Sequence, residues 1–237
     1  MTSSRLAGKI AIVTGAGRGI GRAIAHALAS EGAVVALTAR TQAEIEREAE
    51  AIRTEGGKAA SFAGDVTDQR QVESMVGGVL KEYGTVDILV NNAGVGVFRP
   101  VSELSVAEFD TMWNVNMRGV FLVTKAVLPA MRKARTGTIV NIASLAGKNA
   151  IKGGAGYCAT KWALRGFGAS LMLEVRDDNI RVVTICPGSV DTGFYAGGKK
   201  GPAITQPSDV AETVLFAVTA PARTMVSEID IRPTRPS

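Results

Sequence analysis

A chain of 237 residues, 46% hydrophobic and holding 27 glycines, has the length of one α/β domain and enough apolar surface for a substantial core. No apolar run reaches the roughly 18–20 residues of a membrane span, and the first residues carry no signal-type apolar region, so a cytoplasmic protein with no membrane contact is expected. The formal charge of +5 comes from basic residues scattered among acids, which reads as a solvated surface favouring anionic small molecules and argues against nucleic acid.

The first predicted strand begins at Ile10 and breaks after Thr14 into a glycine-rich turn that becomes helical by Gly19. Gly15, Gly19 and Gly21 let the main chain approach a pyrophosphate and let the helix pack closely on the strand. The helix N-terminus then turns its unpaired N–H groups toward the phosphates. The pattern is T-G-x-x-x-G-x-G, not G-x-G-x-x-G. A Walker-type loop is excluded because no Gly-Lys pair is followed by Ser or Thr. A second strand over 34–38 completes a βαβ unit and ends at Thr38-Ala39-Arg40, without the acid that favours a free ribose 2′-hydroxyl. Arg40 and Arg18 are placed to meet a 2′-phosphate, which favours NADP over NAD; otherwise they are ordinary surface arginines.

A charged helix over 41–55 and a short strand over 59–62 lead to Asp65-Val66. Asp65 either accepts from an adenine amino group or helps start the next helix near Asp68. A fourth strand over 86–90 runs into Asn91-Asn92-Ala93-Gly94, whose small residues and amides allow a loop to lie against a cofactor. The long helix predicted over 106–133 is interrupted by Asn114-Val-Asn116, which implies a kink or a function. Ser144 stands just beyond a fifth strand over 138–142, where the crevice rule for open parallel sheets places a ligand. Tyr157 and Lys161 are one turn apart at the start of a helix ending near Arg176, so they share a face. A sixth strand over 180–185 precedes Pro187-Gly188 and a glycine-rich loop over 189–206 that reads as a mobile lid. A helix over 208–219 and a strand over 226–231 finish a single domain, 1–237.

Cys158 and Cys186 have no metal-type or redox spacing, so no disulfide and no metal site is expected. With one histidine, His26, and no G-x-S-x-G turn, serine hydrolase chemistry lacks its parts. Carbonyl reduction needs a proton donor and a hydrogen-bond donor at the oxygen that gains charge. Tyr157 supplies the first if Lys161 lowers its pKa, and Ser144 can hold the oxygen.

The motifs Thr14-Gly-Ala-Gly-Arg-Gly-Ile-Gly21, Asp65, Asn91-Asn-Ala-Gly94, Asn116, Ser144, Tyr157, Lys161 and Pro187-Gly188 together resemble the short-chain dehydrogenase/reductase family over nearly the whole chain. The resemblance implies an α/β, Rossmann-type three-layer α/β/α fold with a seven-stranded parallel sheet in the order 3-2-1-4-5-6-7, and a homo-oligomer, tetramer or dimer. It implies a catalytic set in which Tyr157 is the acid or base, Lys161 binds the nicotinamide ribose and tunes Tyr157, Ser144 orients the substrate oxygen and Asn116 holds a relay water. The NADP(H) contacts implied are Gly15, Arg18, Gly19, Ile20, Gly21, Arg40, Asp65, Val66, Asn92, Ala93, Gly94, Tyr157, Lys161, Pro187, Gly188, Val190 and Thr192, the last at the carboxamide.

The expected partner is a small carbonyl or alcohol substrate. The pattern looks like 3-oxoacyl-carrier-protein reductases, acting on an acyl thioester with Arg132, Lys133 and Arg135 available to an acidic carrier protein. Asp177-Asp178 and the ending from Val226 to Pro233 look more like reductases of small carbonyls or hydroxy acids. A non-catalytic nucleotide-sensing protein on the same fold is the alternative of another class.

Overall fold

A computed structural model describes residues 4–194, 201 and 203–234. Seven parallel strands are β1 (Ile10–Thr14), β2 (Val34–Ala39), β3 (Lys58–Ala63), β4 (Ile88–Asn91), β5 (Gly137–Ile142), β6 (Ile180–Pro187) and β7 (Glu228–Ile231). They lie in the order β3-β2-β1-β4-β5-β6-β7, the order that the family resemblance implies. The helices are α1 (Gly19–Ser30), α2 (Gln42–Thr54), α3 (Gln69–Tyr83), α4 (Val106–Trp113), α5 (Val120–Ala134), α6 (Ala155–Val175) and α7 (Pro207–Thr219).

A parallel sheet is covered on both faces, so its central strands are apolar throughout. In β1, alternate residues divide between two cores. Ala11 and Val13 pack with α1, α2 and α7 on one face, while Ile10 and Ile12 pack with α3, α5 and α6 on the other. The edge strands β3 and β7 are only partly buried and carry polar residues. The helix starts are locally encoded: Asp68 accepts from the N–H groups of Arg70 and Gln71, Ser105 and Glu108 form a reciprocal capping box, and Pro207 opens α7.

The predicted 106–133 helix is divided. A π-helical turn over Asn114–Gly119 separates α4 from α5, at the asparagine pair that the sequence marks as a break. The chain leaves β3 and returns to the far side of β1 as β4, so the order reverses between β1 and β4. A crevice opens beyond the carboxyl ends of strands at such a reversal. Of the expected lid over 189–206, residues 195–200 and 202 lie outside the described residues. The base of that loop is fastened by a bridge between Val190 and Thr205 and by Asp191, which accepts from the Gly201 N–H.

Candidate active site

The crevice is assembled from strand ends. Thr14 closes β1, and its hydroxyl donates to the Val90 carbonyl while accepting from the N–H groups of Asn92 and Ala93. The Asn92 amide donates to the carbonyls of Thr14 (2.9 Å) and Gly15 (3.2 Å). The Asn92-Ala93-Gly94 loop is thereby stapled to the glycine turn, and a Cβ on Gly15 would meet Ala93 Cα at 3.0 Å. Gly15 and Gly19 have left-handed φ of 65° and 56°, which favour glycine.

Arg18 occupies the N-cap of α1 without a side-chain cap bond, and the first turn holds no acid, so the end of α1 offers its N–H groups to an anion. Thr192 overhangs this turn, its Cγ2 3.6 Å from where a Cβ of Gly19 would stand. These features fit a dinucleotide pyrophosphate lying across the turn. Arg18 and Arg40 are both exposed and leave neighbouring strand ends, since Thr14 and Thr38 are in register.

The reacting half lies over β5 and α6. Tyr157 is buried, and its hydroxyl is hydrogen-bonded to Ser144, which also accepts from the Ala146 N–H at 3.1 Å. Burial pushes the Tyr157 phenol up to about 12, against the Ser144 bond, which pulls it down. The net shift is upward, so burial outweighs the lowering that Lys161 was expected to supply. The Lys161 ammonium donates to the Ile142 carbonyl at 3.0 Å and stands 5.7 Å from the Tyr157 ring centroid, and its own burial brings it down to about 8. Tyr157 is therefore a neutral, proton-bearing phenol near pH 7.

Asn116 is buried in the π-helical turn. Its Oδ1 accepts from the Val95 N–H (2.9 Å), and its Nδ2 donates to the Val95 carbonyl (2.9 Å) and to Thr160 Oγ1 (3.0 Å). Both amide hydrogens are thus engaged within the protein. A relay water would be met by the second lone pair of Oδ1 or by a carbonyl of the turn. Gly94 lies against this group: a Cβ on it would be 3.4 Å from Asn116 Oδ1 and 3.8 Å from Lys161 Nζ.

The structure thus brings Gly94, Asn116 and Lys161 together, and Ser144 with Tyr157. Pro187 ends β6, and Gly188 donates its N–H to the Ile231 carbonyl. Asp65 Oδ1 accepts from both the N–H and the hydroxyl of Thr67, while Asp68 starts α3, so the helix-start alternative belongs to Asp68. The Val66 side chain packs on Gly119.

Several residues at the site were missed. Thr160 fastens Asn116, and Phe98 and Phe194 flank Tyr157 with ring centroids 5.1 and 5.8 Å away. Glu44, from the first turn of α2, reaches the glycine turn, its Oε2 3.1 Å from where a Cβ of Gly17 would stand. Thr160 carried a signal, a polar residue between Tyr157 and Lys161. The phenylalanines and Glu44 carried none, since only the tertiary fold brings them in. Arg132 and Arg135 face Asp178 at 3.1 and 3.7 Å, and Arg135 also donates to the Asp177 carbonyl, so two of the three proposed carrier-protein contacts are engaged internally.

Both cysteines are free and buried. Among the described residues there is no cluster of metal-ligating side chains and no helix long and apolar enough to cross a membrane.

A family model described as short chain dehydrogenase matches residues 9–201. Sepiapterin reductase of Chlorobaculum tepidum is 35% identical, with 95% of this chain and 96% of that protein covered. A metagenomic short-chain oxidoreductase solved in complex with NADP is 39% identical, with 98% and 100% covered and a TM-score of 0.87. An alcohol dehydrogenase of Thermococcus sibiricus, solved with 5-hydroxy-NADP, is 35% identical, with 97% and 99% covered and a TM-score of 0.90.

Proposed function

The chain belongs to the short-chain dehydrogenase family, and from that premise we propose that it is an NADP(H)-dependent reductase of neutral, largely apolar ketones or aldehydes. The observation that carries the reading is the buried Tyr157, hydrogen-bonded to Ser144, set between Phe98 and Phe194 and with its ring centroid 5.7 Å from the Lys161 ammonium. Bound NADPH supplies the hydride that the carbonyl carbon receives. Ser144 holds the carbonyl oxygen, and Tyr157 gives its proton to that oxygen as negative charge develops there. Lys161, positive near neutral pH and fixed by the Ile142 carbonyl, stabilises the tyrosinate that remains. Asn116 holds the loop carrying Val95 against α6 through Thr160 and so keeps the two halves of the crevice in register.

The NADP(H) preference rests on Arg18 and Arg40, on the lack of an acid at Ala39, and on the NADP ligands of the two similar structures. The substrate class rests on the surroundings of Tyr157: Phe98, Phe194, Val95, Val97 and Leu104. A hydroxy acid would need a cation for its carboxylate, and Arg99 on the same loop already pairs with Glu108 at 3.0 Å. The internal pairing of Arg132 and Arg135 weighs against an acidic carrier protein. We further infer cytoplasmic residence and a homo-oligomeric state.

The test is NADPH oxidation, with NADH in parallel, against cyclic and aryl ketones, diketones, a β-ketoacyl thioester and, in reverse, serine-like hydroxy acids. Turnover of the neutral ketones with NADPH supports the reading. Turnover confined to hydroxy acids or to the thioester overturns the substrate class. Cofactor binding without turnover on any member would point to a nucleotide sensor.

A further inference from the structure

At the opposite end of the strands from the crevice, a cavity of about 500 Å³ opens between the amino ends of β1, β4, β5 and β6 and the segment after α7. Its size falls within the roughly 300–1,000 Å³ of small-molecule sites. Five cationic side chains line it, Lys9, Arg135, Arg176, Arg181 and Arg223, against one carboxylate, Asp87, and of the five Arg135 is paired with Asp178 outside the lining. That carboxylate is fully used: it pairs with Lys9 at 2.9 Å and accepts from the Ile10 N–H at 2.9 Å.

Arg181 is the fixed element of the cavity. Half-buried, it donates to Thr138 Oγ1 (3.0 Å) and to the carbonyls of Val218 (3.0 Å) and Ala220 (2.9 Å). All three partners are neutral, and no carboxylate balances it among the described residues. The carbonyls at the end of α7 explain why an arginine is held there, but they leave its charge uncompensated, and burial pulls its guanidinium below the usual arginine value.

Arg176 and Arg223 are exposed and make no ion pair among the described residues. A second feature is independent of charge. The two non-glycine residues with left-handed φ among those described, Arg135 (50°) and Asn179 (57°), both line this cavity. Asparagine tolerates that conformation, but a helix end with arginine where glycine is the ordinary choice is unusual. Residues held in such conformations concentrate at functional sites.

The geometry points to a second ligand site here, for a small anion carrying phosphate groups, held by Arg181 at its base and by Arg176 and Arg223 at its mouth. Guanidinium groups match phosphate oxygens in charge and geometry, and an anion would supply the counter-charge that Arg181 lacks. Because its residues are separate from the nucleotide crevice, this site stands or falls independently of the proposed reaction.

The experiment is calorimetric titration of inorganic pyrophosphate into protein saturated with NADP+, at low ionic strength. Saturable binding of one pyrophosphate per chain is expected, weakened at least about tenfold in Arg176→Ala/Arg223→Ala. Both residues are exposed, and thermal unfolding verifies that the variant folds. A parallel Arg18→Ala/Arg40→Ala protein should bind pyrophosphate as the wild type does. The assignment is overturned by absence of binding, by equal affinity in the Arg176/Arg223 variant, or by loss of binding in the Arg18/Arg40 variant, which would locate the anion in the nucleotide crevice.

Discussion

Gly21→Ala tests whether the approach of α1 to the glycine turn builds the nucleotide site. A Cβ at Gly21 would overlap the Gly15 carbonyl oxygen and the Asn92 amide nitrogen, and would come within 2.9 Å of the Gly15 carbonyl carbon. The helix or the turn must then retreat by about 1 Å to restore van der Waals separation. That movement breaks the 3.2 Å bond from Asn92 to Gly15 and stretches the 2.9 Å bond to Thr14. Overpacking costs about 1–3 kcal/mol, and loss of the part-buried bond from Asn92 to Gly15 costs about 0.5–1.5 kcal/mol more. The sum, roughly 1.5–4.5 kcal/mol, is a large part of a typical stability of about 5–15 kcal/mol.

Gly19→Ala is the comparison. Its φ of 56° disfavours alanine by about 1–3 kcal/mol, yet the nearest atom to a new Cβ is Thr192 Cγ2 at 3.6 Å. Urea unfolding should therefore place Gly21→Ala clearly below Gly19→Ala, and NADPH fluorescence titration should show the larger loss of affinity in Gly21→Ala. A Gly21→Ala protein with the wild-type urea midpoint and NADPH affinity would refute the argument.

Asn116→Ala removes three hydrogen bonds that join Val95 to α6. A loss of about 2–4 kcal/mol by urea unfolding is expected, with a fall in kcat; a loss confined to kcat would mean that Asn116 does not fasten the loop. Lys161 gives a pH test. Its ammonium is held near 8 in the folded protein against 10.5 in the unfolded chain, so between these values the unfolded state binds the proton that the folded state lacks. Wild-type stability relative to Lys161→Met should rise across about pH 8–10.5, and a flat difference would place the folded value near the unfolded one. Glu44→Gln removes a carboxylate beside Gly17 and should tighten NADPH by roughly three- to tenfold with NADH unchanged. Equal changes for both nucleotides would remove Glu44 from the 2′-phosphate end.

Much of this was legible because the same residues serve the fold and the site. Continuous apolar strands announce a parallel sheet, and glycine in a strand-to-helix turn announces the crevice that such a sheet creates. The spacing of Tyr157 and Lys161 put them on one helix face, their combination with the glycine turn, the amide loop and Ser144 made the pair specific, and the asparagines at 114 and 116 marked the break that became a π-helical turn. The electrostatics were not legible. The phenol of Tyr157 rises because it is buried, and burial depends on Phe98, Phe194 and the loop after β4, none of them near in sequence. Arg132 and Arg135 looked available because their partner, Asp178, lies beyond the whole of α6. Glu44 looked like an ordinary residue of a charged helix until the βαβ packing laid it on Gly17.

The central claim is that Tyr157 is the proton donor of an NADPH-dependent carbonyl reduction, and the rate of NADPH oxidation by Tyr157→Phe tests it most directly. The phenyl ring keeps the packing between Phe98 and Phe194, so NADPH affinity and thermal stability should stay near wild type. On a ketone that the wild type reduces, kcat should fall by at least about 100-fold. Wild-type kcat in Tyr157→Phe, with the cofactor bound as before, would contradict the account.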